Sequence, residues 1–167
     1  MLTQMSKFPN DRYADAHEAI AELLRVQVTA LDMLKKKLGT PLGRQSKGIP
    51  QPYQAEAWRS NASLASLDAS LSGAQALWEG IDGKGLKTLL PAEQKALAGK
   101  IDAAYVDSHA KLAALEQKPL SELLASEDGR NQLNALYDSL NVVHRLHEGD
   151  LARALGVQLG FNANDGD

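Results

Sequence analysis

The sequence predicts an all-α protein, a four-helix-bundle-like domain of long antiparallel helices joined by long loops. Four long segments repeat apolar residues at steps of three and four, which lines one face of a helix. No segment shows two-residue alternation rich in β-branched residues, so no strand is expected. Of the 167 residues, 44% are hydrophobic and only 5% aromatic, so the core is built from Leu, Ala, Ile and Val. That composition suits helices packed closely through small residues. The length suits one domain with a sizeable core, and residues 1–167 are read as a single unit.

The first helix is expected to start at Asn10 or Asp11, whose side-chain oxygens cap free N–H groups. It runs through Ile20, Leu23, Leu24, Leu31, Leu34 and Leu38 and stops at Gly39. Lys35-Lys36-Lys37 at its end complements the negative end of the helix dipole on a solvated face. Residues Thr40–Gln54, with three prolines and two glycines, read as a long loop. A second helix, Ala55–Trp78, carries an apolar stripe (Leu64, Leu67, Leu71) beside a polar one (Arg59, Ser63, Ser66, Ser70). The serines either let a neighbouring helix approach closely or form a hydroxyl-lined wall with Arg59 at its mouth. Gly80–Gly85 is a connector that lacks the Walker spacing and a preceding strand.

A third helix opens at Pro91 and buries Leu97, Ile101, Ala104, Tyr105, Leu112 and Leu115 before Lys118-Pro119 breaks it. A short turn of helix covers Leu120–Ala125. The last helix, Asp128–Gly156, lines up Leu133, Leu136, Leu140, Val143, His147, Leu151 and Ala154, and Gly156 ends it.

The net charge of −3 argues against a surface that tracks phosphates, so nucleic acid is not an expected partner. Absence of cysteine removes disulfides, thiolate metal sites and a Cys nucleophile. No apolar run is long enough to span a bilayer, and the first residues lack the apolar stretch of a signal peptide. Either the protein is cytoplasmic or these residues are not the whole gene product.

There is no His-Glu-x-x-His motif, no Gly-x-Ser-x-Gly elbow and no dinucleotide fingerprint. The best metal-like cluster is His144, His147 and Glu148, because residues three and four apart meet on one helix face. His147 also falls on the apolar stripe, where it reads equally as a hydrogen-bonded core histidine. Iron or zinc is the candidate ion. His17 beside Glu18, and His109 beside Ser108 and Asp107, are weaker candidates, since adjacent side chains point apart on a helix. The tail Asn162–Asp167 alternates oxygen ligands ahead of a glycine, but a calcium loop needs a bidentate Glu well beyond that glycine. A tail pinned by Phe161, with carboxylates answered by cations, is the expectation. Arg59 is the expected partner, and Arg59, Ser60, Ser63, Asn162, Asp165 and Asp167 are the expected ligand-orienting residues.

The ending Leu-Gly-Val-Gln-Leu-Gly-Phe-Asn-Ala-Asn-Asp-Gly-Asp resembles the close of imelysin-family proteins, which end on Gly-Phe-Asn-x-x-Asp-Gly-Asp. Lys37–Gly43 is similar to that family's helix end and following loop, and Glu56–Leu64 to the Ser-rich helix start of its second half. The resemblance implies an all-helical protein of two bundle-like halves. It implies a role in bacterial iron acquisition in the periplasm or outer membrane, with iron-uptake partners. A metallopeptidase and a helical interaction module are the alternatives. The family's Gly-x-His-x-x-Glu motif belongs to the first half and is not found here, since His17 is followed directly by Glu18. This chain is therefore expected to be the C-terminal half, partnered by an N-terminal half of the same protein, and to cleave no peptide by itself.

Overall fold

The computed structural model describes residues 7–115 and 118–159. Among the described residues the structure is helical and contains no strand. Helix α1 spans Ala16–Gly39, α2 Ser63–Glu79, α3 Lys95–Ala113, α4 Leu120–Ala125 and α5 Glu127–Arg145. A π-helical segment, Leu146–Leu151, continues α5 into the single turn α6, Ala152–Ala154.

Helix α1 begins later than the sequence suggested. Asn10 does not cap it: its Oδ1 accepts from the backbone N–H groups of Arg12 and Tyr13, both at 2.9 Å. Such a local turn satisfies the side chain without helix. Asp15 takes the cap instead, accepting from Glu18 N at 3.0 Å, while Glu18 Oε2 accepts from Ala14 N at 2.8 Å. The exchange is close to a capping box. At the other end, Lys36 and Lys37 lie in the last turn as the dipole requires. Lys35 departs from the solvated face expected for it. Its side chain is 12% exposed, and its ammonium donates at 3.2 Å to Asn141 and lies 3.2 Å from His144 Nδ1.

Residues 40–54 wind through turns in which Gly43, at φ +79°, lies so close to Ile49 that a Cβ would meet its carbonyl oxygen. Glycine is required there.

Side-chain pairings give the helix directions. Gln27 meets Ala74 and Lys37 meets Ser70, so α1 and α2 run antiparallel. Trp78 with Asp102 and His109 with Asp68 do the same for α2 and α3. Tyr105 with His147 and Ser108 with Ser139 oppose α3 to the last helix. Lys35 beside Asn141, and His17 beside Gly156, close the ring between α1 and α5. The result is an up-down-up-down bundle. Leu24, Leu31, Leu38, Leu71, Trp78, Ile101, Tyr105, Leu133, Leu136 and Val143 fill its centre. Helix α4 packs on α5 and beside the Pro52–Gln54 turn, covering one end. Among the described residues no helix is long and apolar enough to cross a membrane.

Candidate functional site

Helix α2 starts at Ser63, eight residues later than the sequence suggested. Ala57 (φ 54°) and Asn61 (φ 54°) both adopt the left-handed conformation and interrupt the helix on either side of a tight turn, Trp58–Ser60. Asn tolerates that conformation through local hydrogen bonding, but Ala is strained in it. Ala57→Gly is accordingly expected to stabilise the protein by about 1 kcal/mol. Urea unfolding checks this; equal or lower stability would show that the turn is relaxed.

This interruption removes Arg59 from the serine stripe and turns it toward a cleft of about 280 Å³. Pro52, Tyr53, Ala55, Trp58, Arg59, Asn61, Ser63, Leu120 and Ser121 line it, drawn from the loop, the start of α2 and the start of α4. Arg59 is the one charged residue in that lining. Its guanidinium lies 5.2 Å from the Trp58 ring centroid, and among the described residues it has no carboxylate partner. Tyr53 and Trp58, 74% and 39% exposed, meet edge to face with centroids 5.1 Å apart.

The serines play quieter parts. Ser63 is buried and its hydroxyl donates to Glu56 O at 2.5 Å, so it shapes the wall and has no proton to offer. Ser60, exposed, donates to Ala57 O at 3.1 Å and buttresses the turn. Ser70 donates to Ser66 O and accepts from Lys37, joining α1 to α2. Asn162, Asp165 and Asp167 lie outside the described residues.

The cluster His144, His147 and Glu148 sits where α5 widens. His147 is fully buried: Nδ1 donates to Val143 O at 2.8 Å and Nε2 lies 3.5 Å from the Tyr105 hydroxyl. The wide turn beginning at Leu146 carries His147 between the rings of Trp78 and Tyr105, at 5.6 and 5.7 Å. Gln27, also buried, donates to the Tyr105 hydroxyl at 2.9 Å and to Ala74 O at 2.7 Å. Burial pushes the His147 pKa down to about 4 and raises that of Tyr105. His144 instead faces α1. Its Nδ1 lies 3.2 Å from the Lys35 ammonium and 3.7 Å from Glu148, and burial, then Lys35, lowers its pKa.

As placed, the three residues do not fit a metal ion. Both ring nitrogens of His147 are directed at protein partners, and a lysine ammonium stands at the nitrogen of His144. Among the described residues no three His, Asp or Glu side chains gather as a donor set. His109 pairs with Asp68 at 3.3 Å across α2 and α3, and His17 lies apart, beside Gly156.

A larger hollow, about 900 Å³, runs between α1 and the connector after α2, past Phe8, Ile20, Leu23, Leu77, Ile81 and Leu89. It is apolar and offers few polar groups to orient a ligand, whereas the smaller cleft combines aromatic walls with a cation that has no carboxylate partner among the described residues. Of the residues named from the sequence, Arg59 and Ser63 line this cleft and Ser60 does not; Tyr53, Trp58, Asn61 and Ser121, which also line it, were not named. Two aromatics five residues apart in a Pro-rich loop, in a chain with so few, were the available signal.

Fold and site define an all-helical bundle with one compact aromatic and cationic cleft at the end covered by α4. Residues 1–147 match the imelysin family model, and the chain belongs to the imelysin family. The tail that resembles the family's ending lies beyond the matched residues. A comparison with curated proteins gave no match, and a comparison with solved structures gave none.

Proposed function

We propose that this chain is the C-terminal bundle of a two-half imelysin protein serving iron acquisition in the periplasm or at the outer membrane of a Gram-negative bacterium. In this reading it supplies one wall of a binding site completed by the N-terminal half of the same protein. The observation that carries it is the cleft that Arg59 and Ser63 line in a family member, Ser60 bracing the turn beside it, with the Arg59 guanidinium as its one charge among the described residues. In this proposal Asn162, Asp165 and Asp167, outside the described residues, are assigned the same ligand-orienting role. Iron, or zinc, is held by donors of the N-terminal half, because His144, His147 and Glu148 are committed within this bundle. Iron-uptake proteins are the partners.

Deletion of the gene, followed by growth under iron chelation, tests this. The deletion strain is expected to grow poorly, wild-type protein to restore growth, and an Arg59→Ala/Ser60→Ala pair to restore it only in part. Normal growth of the deletion strain would overturn the iron role. Full rescue by the paired variant would overturn the cleft's part in it.

A further inference from the structure

We propose that the cleft at the opening of α2 seats a small aromatic carboxylate, its ring held by Tyr53 and Trp58 and its carboxylate by Arg59. The inference rests on the reading of that cleft as the binding face and names the ligand's chemistry.

The walls point to the ring. Tyr53 and Trp58 stand nearly perpendicular, at 82°, and form a corner of two aromatic surfaces left largely in water. A third ring placed in such a corner stacks on one surface and presents an edge to the other, the two arrangements that aromatic quadrupoles favour. The charge points to the carboxylate. Among the described residues Arg59 is the sole ionised group in the lining, and Glu56 close by in sequence is neutralised by Lys37 at 2.8 Å. As lined by the described residues the cleft is net positive, and a planar guanidinium takes a carboxylate through two parallel hydrogen bonds. A cationic ligand is disfavoured, because the guanidinium already lies over the Trp58 ring. Asn61 and Ser121, both exposed in the lining, offer an amide and a hydroxyl to substituents on the ring. The space of about 280 Å³ suits one substituted ring.

Titration of the full chain with benzoate tests this, followed by tryptophan fluorescence, with Trp78 as the buried background, and by calorimetry. Benzamide removes the charge, and glucuronate keeps the carboxylate while replacing the aromatic ring. Benzoate is expected to bind saturably, with benzamide and glucuronate each roughly tenfold weaker. Arg59→Met is expected to weaken benzoate roughly tenfold and leave benzamide unchanged, while Tyr53→Ala weakens both. These side chains are exposed, and circular dichroism confirms that the variants fold. No saturable benzoate binding, or equal binding of benzamide, or indifference to Arg59→Met overturns the proposal. Glucuronate binding as tightly as benzoate overturns its aromatic part. Failure here with the growth phenotype intact removes only the ligand class. Benzoate binding without any growth phenotype removes only the iron role.

Discussion

Trp78→Ala is expected to lower stability by about 4 kcal/mol, the largest effect of any single truncation in this bundle. The side chain is fully buried, lies edge to face against His147, and donates from Nε1 to Asp102 Oδ1 at 2.8 Å. Truncation leaves a cavity between α2, α3 and the end of α5. It also removes the neutral donor that fixes one Asp102 oxygen, leaving that carboxylate to Lys87 alone at 2.6 Å. In a protein of this size the melting temperature should fall by about 12 °C. Trp58→Ala is the internal control. That ring belongs to a surface cleft, and its removal should change stability by less than about 0.5 kcal/mol. Thermal unfolding of the two variants side by side decides the matter; a Trp58 effect as large as that of Trp78 would mean the bundle is packed differently.

Acid is expected to destabilise the protein in a window set by His147. Its folded-state pKa of about 4 lies below the ordinary value of 6.5, because burial disfavours the imidazolium. Above pH 6.5 the ring is neutral in both folded and unfolded chains, and its full contribution is present. As pH falls below 6.5 the unfolded chain takes up a proton that the folded chain refuses. Stability therefore drops, by about 3 kcal/mol in all, until pH reaches about 4 and the folded ring also protonates. Burial and the neighbouring Lys35 lower His144 in the same direction, so its proton adds to the early part of the slope. Urea unfolding at several pH values between 7.5 and 4.5, for wild type and His147→Leu, separates the two. The variant should keep only the His144 part and the carboxylate contributions. Identical slopes would show that His147 titrates normally. Protonation of the folded ring would also end acceptance at Nε2, so the link between Tyr105 and the last helix should loosen only as pH falls through about 4.

Much of the fold was legible in the residues because the helical period survives in a linear chain. The stripes of α1, α3 and α5 became the core nearly residue for residue: Leu24, Leu31 and Leu38; Leu97, Ile101 and Tyr105; Leu133, Leu136, Leu140 and Val143. Gly156, read as the stop of the last helix, takes φ +67°. Side-chain burial follows spacing, and spacing is written in the sequence.

Helix ends were less legible, since several polar residues compete for each cap and local geometry chooses among them. Asn10 folded onto its own neighbours while Asp15 capped α1, and two left-handed residues delayed α2 to Ser63. The same delay decided the candidate site. On a continuous helix Arg59 would have continued a serine stripe; beyond the break it stands over Trp58 in a cleft shared with Tyr53 and Ser121. The histidines were decided by tertiary structure as well. Spacing placed His144 and His147 on one turn, but the π-helical widening sent His147 to Tyr105 and left His144 to Lys35. The sequence alone thus determined an all-helical bundle of the imelysin family and where its apolar faces lie. Which polar groups meet depended on backbone breaks and cross-bundle partners, because hydrogen bonds and charges act over a few ångströms between residues far apart in the chain.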